Sequence, residues 1–148
     1  MRYLLDTNAY IRMISDRELL TTDVRAIVED YDNQLYLSTE STKEMIVLYR
    51  TRRLLTNKFK TERDLVESVL SDYAVTLDLV DAYVLRQMAD LRINEVEGHH
   101  DPSDHIIIAQ AIAHRLVLIS SDTKFPFYRQ QGLDLVEDWD NFWAHLGM

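Results

Sequence analysis

The stretch DHIIIAQAIAHR (104–115) runs without a linker into LVLIS (116–120), a helical pattern followed at once by a short apolar run that reads as a buried strand. The same alternation recurs along the chain. Strand YLL (3–5) precedes the helical stretches TNAYIRMI (7–14) and TDVRAIVEDY (22–31), and strand QLYLS (34–38) precedes helices STKEMIVLYRTRRLL (41–55) and TERDLVESVLSDY (61–73). A short strand AVTL (74–77), a helix DAYVLRQMADLRI (81–93), a last strand LDLVE (133–137) and a helical tail DWDNFWAHL (138–146) complete the reading. Strands separated by helices of this length require right-handed crossovers. They predict a mostly parallel sheet covered on both faces, a three-layer α/β/α domain. Three glycines, two prolines, no low-complexity stretch and no repeat leave no linker, so residues 1–148 are expected to form a single domain.

Composition narrows the chemistry. The chain has no cysteine, which removes disulfides, thiolate zinc sites and cysteine nucleophiles and suits a reducing cytoplasm. In MRYLLDTNAY the apolar run ends at Asp6, too short for a secretory leader, and no apolar run approaches the roughly 20 residues of a membrane span. The expectation is a cytoplasmic protein that does not engage membranes. A net charge of -9 argues against coating nucleic acid by bulk electrostatics. One island departs from this balance: YRTRRLLTNKFK (49–60) carries Arg50, Arg52, Arg53, Lys58 and Lys60 without an acid. It reads either as a solvated helix end answering the helix dipole or as a contact to RNA phosphates through Arg50, Arg52 and Arg53.

Ligands of open parallel sheets sit beyond the carboxyl ends of the strands, and acids recur there. Asp6 follows YLL, Glu44 lies in the helix after QLYLS, Asp104 heads HIIIAQA, and Asp122 follows LVLIS. Each also has a structural explanation. Asp6 can cap the next helix. Glu44 completes STKE, a capping box with Ser41. In DPSD, Asp101 stands at the N-cap, Pro102 at the first helical position and Asp104 in the first turn, and Asp122 can serve a turn. If the strands are neighbours, the acids converge, and two carboxylates 5 Å apart repel by about 3 kcal/mol at an effective dielectric near 20. An oxygen-rich cluster without cysteine suits a hard divalent ion, Mg²⁺ or Mn²⁺, and the chemistry that follows is phosphodiester hydrolysis by an activated water. The substrate's charge is then accepted through metal, so an acidic chain is no obstacle.

The histidines do not form a zinc-like set. His99 and His100 are adjacent and read as loop residues, while His114 and His145 read as helix-surface residues. Tyr10, Tyr49 and Trp143 read as core or groove aromatics rather than base-stacking platforms.

The segments YLLDTNAYI, LSTESTKEMIVLYRTRRL and HHDPSDHIIIAQAIAHRLVLISSDTKFPFY resemble, in order and over nearly the whole chain, the successive signatures of PIN-domain nucleases, most of all the bacterial VapC-type toxins. The resemblance implies a PIN-like fold, Mg²⁺- or Mn²⁺-dependent endoribonuclease activity, a partner antitoxin and a homodimer. It makes Asp6, Glu44, Asp104 and Asp122 the four acids of the site, with Ser120 and Asn8 as supporting polar residues. DPSD matches the D-P-x-D lead-in of one subgroup, although that subgroup more often has an aromatic after proline and arginine where His105 stands. Three other readings stay open: a receiver-like module phosphorylated on Asp6 with Lys124 nearby, an aspartyl-phosphate phosphatase with Asn8 in place of its second aspartate, and a non-catalytic binding module that keeps only the fold.

Overall fold

Five short parallel strands lie in the order β3-β2-β1-β4-β5 in a computed structural model that describes residues 1–139. They are β1 (Arg2–Leu5), β2 (Gln34–Ser38), β3 (Thr76–Asp78), β4 (Val117–Ser120) and β5 (Leu135–Glu137). The helices are α1 (Thr7–Ser15), α2 (Thr22–Glu29), α3 (Thr39–Arg50), α4 (Glu62–Leu70), α5 (Ala82–Asp90) and α6 (Pro102–His114). Of the predicted C-terminal helix, the part from residue 140 on, with Trp143 and His145, lies outside the described residues.

Strand periodicity explains the three layers. In β1, Tyr3 and Leu5 face one side and Leu4 the other, and the register pairs Leu4 with Leu118 and Leu5 with Ile119. Leu5, Leu37 and Ile119 therefore join Ala9, Tyr10, Met45, Leu65 and Val69 from α1, α3 and α4 in one core. Leu4, Leu118 and Leu135 join Ile107, Ile108 and Ala111 of α6, with Phe125 and Tyr128, in a second core on the opposite face. Both cores are almost fully buried, which is why the strands read as continuous apolar runs. Tyr10 belongs to the first core, its hydroxyl donating to Asp72 at 2.9 Å.

Helix ends account for the differences from the sequence reading. Helix α3 begins at Thr39, two residues early, because Ser38 caps it by accepting from the Glu40 amide at 3.0 Å. It ends at Arg50, five residues early. Arg52 takes a left-handed conformation (φ 58°), and the Arg52 and Arg53 amides donate back to the Tyr49 and Leu48 carbonyls at 3.1 and 2.8 Å, the pair of bonds that closes a helix. Arg115 (φ 55°) ends α6 in the same way, with the Leu116 amide donating to Ala111, and sends the chain directly into β4. Arginine in place of the usual glycine conceals the α3 stop in the sequence, while the α6 stop lies one residue before the predicted one. The third strand starts two residues later than AVTL and ends one residue later, at Thr76–Asp78.

No described helix is long and apolar enough to cross a membrane.

Candidate functional site

Strand order reverses at β1. The chain leaves β1 for β2 on one side and later returns to β4 on the other, so the carboxyl ends of β1 and β4 flank the crevice where a parallel sheet can seat a ligand. The Asp6 amide donates to the Ile119 carbonyl at 3.0 Å and extends the ladder by one residue, placing Asp6 at the edge of that crevice. Asp122 follows β4 within two residues. Asp104 enters from the first turn of α6, and Glu44 from the second turn of α3.

Asp6 is both a cap and a member of the site. Its Oδ1 accepts from the Ala9 amide at 2.8 Å, so the helix-capping explanation is realised. Burial nonetheless pushes its carboxyl up to about 6; the Ser120 hydroxyl and Ala9 amide oppose this, and Asp104 adds to it by repulsion. Asp104 is pushed up to about 7, first by burial and then by Asp101, Asp122 and Glu44, with Lys124 opposing. Glu44 is raised by burial, against a hydrogen bond donated by the Thr7 hydroxyl at 2.7 Å. It forms no capping box with Ser41, which lies inside α3 with its hydroxyl 3.0 Å from that of Thr7. Thr7 opens α1, so this contact joins the helix after β1 to the helix after β2.

Asp122 serves a turn as expected, its Oδ1 accepting from the Lys124 amide at 2.8 Å, while its own amide donates to Ser120 Oγ at 3.1 Å. Ser120 is fully buried between Asp6 and Asp122. Asn8 is exposed in the first turn of α1 and lines a groove with Arg12 and Ser121. Asp101 is the N-cap of α6 through the Ser103 amide at 2.9 Å, with Pro102 behind it.

The tightest grouping is Asp104, Asp122 and His99, each offering one atom within 4.8 Å of the others. Asp6 and Glu44 stand outside that spacing but close enough to Asp104 to repel it. His99 corrects the sequence reading. Its backbone is in a loop, yet its ring is only 2% exposed, with Nδ1 2.9 Å from the Tyr128 hydroxyl and Nε2 2.9 Å from Asp104 Oδ2. Burial lowers its proton affinity. His105, standing where the resembled subgroup more often has arginine, is buried too and donates Nε2–H to the His99 carbonyl at 2.8 Å. His100 stays exposed. Nothing in local periodicity marks His99, because its partner Tyr128 lies 29 residues away.

Three further acids are answered by cationic side chains. Asp138, buried after β5, accepts from the Thr21 amide at 2.9 Å and from Arg12 at 3.4 Å. His114, expected on the helix surface, lies instead between Asp78 (2.6 Å) and Asp81 (2.8 Å) and ties α6 to the β3–α5 connection. Burial alone would lower its proton affinity; the two carboxylates reverse that and raise it. Arg50, Arg52 and Arg53 remain exposed. Arg50 pairs with Glu62 at 2.6 Å, and Arg50 and Arg52 border a cleft with Tyr49 and Phe59.

Solved structures with this fold include VapBC-1 of nontypeable Haemophilus influenzae (18% identity, TM-score 0.66), DNA-bound VapBC of Salmonella typhimurium (20%, 0.65) and a toxin-antitoxin complex of Klebsiella pneumoniae (22%, 0.61). Each match covers 93% of this chain and 98% of the other. No curated protein sequence matches. With its parallel β3-β2-β1-β4-β5 sheet and its sequence matching the family over residues 3–131, the chain belongs to the PIN domain family.

Proposed function

We propose that the chain is a divalent-metal-dependent endoribonuclease and the toxin of a toxin-antitoxin pair. The observation that carries this reading is the meeting of Asp104 and Asp122 beyond β4, beside Asp6 and Glu44, in a pocket that lifts the proton affinity of three of these four acids. Such repulsion calls for a cation. Of the cations that bear on Asp6 and Asp104, Arg12 is engaged by Asp138, leaving Lys124. The donors are hard carboxylate oxygens, which fit Mg²⁺ or Mn²⁺ better than soft or thiophilic metals. Asp104 and Asp122 would hold the ion directly, with Asp6 and Glu44 completing the acidic wall. A bound ion there supplies Lewis acidity toward a water and offsets phosphate charge.

The chain's own residues set the rest of the site. Ser120 holds the Asp122 amide and the Asp6 carboxylate, and Thr7 holds Glu44. Arg50, Arg52 and Arg53 offer exposed charge for an RNA backbone in an otherwise acidic protein. Phosphoacceptor chemistry at Asp6 fits poorly, since its side chain is buried and held by the Ala9 amide. Structures of toxin-antitoxin complexes with this fold support an antitoxin partner, and the reading places a homodimeric protein in the cytoplasm.

The test is cleavage of RNA by partner-free protein with Mg²⁺ or Mn²⁺. Asp6→Asn and Asp104→Asn are expected to abolish cleavage while the fold survives. RNA left intact by the wild type with both metals refutes the nuclease reading and favours a non-catalytic binding module. Charge reversal at Arg52 and Arg53 is expected to weaken RNA binding and flatten its salt dependence.

A further inference from the structure

Asp104 is anchored from outside the acidic wall, by a run of hydrogen bonds that fixes where one proton sits. The Asn94 amide donates to the Tyr128 hydroxyl oxygen at 3.0 Å. The same hydroxyl lies 2.9 Å from His99 Nδ1, which can accept its single proton. In a neutral ring Nε2 then carries the hydrogen. Nε2 lies 2.9 Å from Asp104 Oδ2 and donates to it. The ring is packed edge-on against His105 and Tyr128, with centroids at 5.0 and 5.5 Å, and tilted against Phe125 at 5.5 Å. Its main chain is held as well: the His99 amide donates to the Asn94 carbonyl at 3.0 Å, and its carbonyl accepts from His105 Nε2 at 2.8 Å.

A shared ion among His99, Asp104 and Asp122 would also bring their ligand atoms this close. The two arrangements differ in what Nε2 presents. As a ligand it would offer a lone pair, the hydrogen would move to Nδ1, and the Tyr128 oxygen would face two donors, Nδ1–H and the Asn94 amide. The tyrosine's own proton would then have no acceptor among the described residues, leaving a buried donor unpaired. With the hydrogen on Nε2, every bond in the run is satisfied.

We infer that His99 is a positioning residue and not a metal ligand: its Nε2–H, set by the Tyr128 hydroxyl, holds Asp104 Oδ2 and leaves Oδ1 as the oxygen offered to a divalent cation. The inference rests on the proposed role of Asp104 in metal binding. Partners of this kind orient the groups that do bind the metal, and removing one commonly weakens affinity about 10-fold to 100-fold.

Long-range ¹H–¹⁵N correlation spectra of the full-length protein report which ring nitrogen is protonated, and calorimetry with Mn²⁺ reports affinity. The expected spectrum shows Nε2–H both without divalent ion and after saturation with Mg²⁺. His99→Gln, which keeps a donor near the Nε2 position, is expected to stay within about threefold of wild-type Mn²⁺ affinity, and His99→Asn to lose about tenfold or more. Tyr128→Phe touches none of the acids, yet it is expected to shift the ring proton toward Nδ1 and weaken Mn²⁺ binding several-fold. An Nδ1–H ring in the wild type, or loss of the Nε2 proton on adding Mg²⁺, overturns the inference. Unchanged affinity in both His99→Asn and Tyr128→Phe, with wild-type binding intact, overturns the positioning role alone. A wild type that binds no Mn²⁺ overturns the metal reading and the positioning role together.

Discussion

Replacing Asp104 with asparagine is expected to make the metal-free protein more stable at pH 8 while removing its activity. The folded protein lifts this carboxyl from 3.8 to about 7. A group whose folded-state proton affinity exceeds its unfolded value contributes stability that is complete below the unfolded value and is lost as pH rises through the folded one. The contribution is therefore full below about 3.8 and gone above about 7. At about 1.4 kcal/mol for each tenfold change in proton affinity, ionised Asp104 works against folding by at most about 4 kcal/mol. Its side chain is 22% exposed, so water returns part of this, and about 2 kcal/mol is the working figure. Against it stands the favourable interaction of an anion with the start of α6, about 0.3–1 kcal/mol. Asparagine keeps the shape and never ionises. The net gain of roughly 1–2 kcal/mol corresponds to an increase in Tm of about 2–8 °C for a chain of this length. Scanning calorimetry in EDTA at pH 8 and pH 5 checks it: the gain is full at pH 8 and falls to about 40% of that at pH 5, where folded Asp104 is protonated but the unfolded chain's is still ionised. Adding Mn²⁺ at pH 8 then raises the Tm of the wild type and leaves that of the variant nearly unchanged. A variant less stable than wild type at pH 8 in EDTA refutes the reasoning, since Asp104 would then be chiefly a helix-start anion.

Proton competition also predicts the pH dependence of metal binding. With Asp6 near 6 and Asp104 near 7, the fraction of protein with both carboxylates ionised falls about 1000-fold between pH 8 and pH 5; Mn²⁺ affinity measured by calorimetry follows it, and a flat profile rules these two acids out as the binding groups. His114→Gln is expected to cost about 1–3 kcal/mol at pH 5.5 and clearly less at pH 8.5, because the charged ring between Asp78 and Asp81 contributes below its ordinary range and that contribution fades as pH rises through its raised value; equal losses in urea unfolding at both pH values refute the ion-pair account. Arg115→Gly relieves a left-handed residue at the end of α6 and is expected to raise stability by about 0.5–1 kcal/mol in the same assay; a loss would show that the arginine side chain, not its backbone, sets that turn.

What the sequence showed depended on how far apart the interacting residues lie. The alternation of apolar strands with amphipathic helices is local, and it led correctly to a parallel three-layer domain, because each strand buries both faces. Asp6 and Asp122 were legible for the same reason, since a residue just after a strand has its location fixed by the sheet, and Asp104 was legible from the capped start of α6. Glu44 was legible as a site acid, and the capping box with Ser41 that the sequence also allowed does not form. The helix starts at Thr39, capped by Ser38, and the glutamate turns toward Thr7, 37 residues away. The stop of α3 was hidden because Arg52 adopts a conformation that glycine normally signals, whereas the stop of α6 was read within one residue because the apolar run LVLIS follows at once.

His99 shows where local reading fails for a physical reason. Two adjacent histidines before a capped helix offer no repeat and no ligand spacing, and their sequence context favours solvent. Burial of one and exposure of the other follows from Phe125 and Tyr128, which follow β4 in the chain and pack against the His99 ring. The Asn94 loop adds a second condition, because its amide must reach the Tyr128 hydroxyl for that hydroxyl to hand its proton to Nδ1. The loop of Asn94 and His99 and the Phe125–Tyr128 segment, with Tyr128 29 residues beyond His99, thus together set the state of one ring nitrogen, and through it the orientation of Asp104. The acids were visible because the sheet places them independently; the group that aims one of them was not, because its chemistry exists only in the assembled fold.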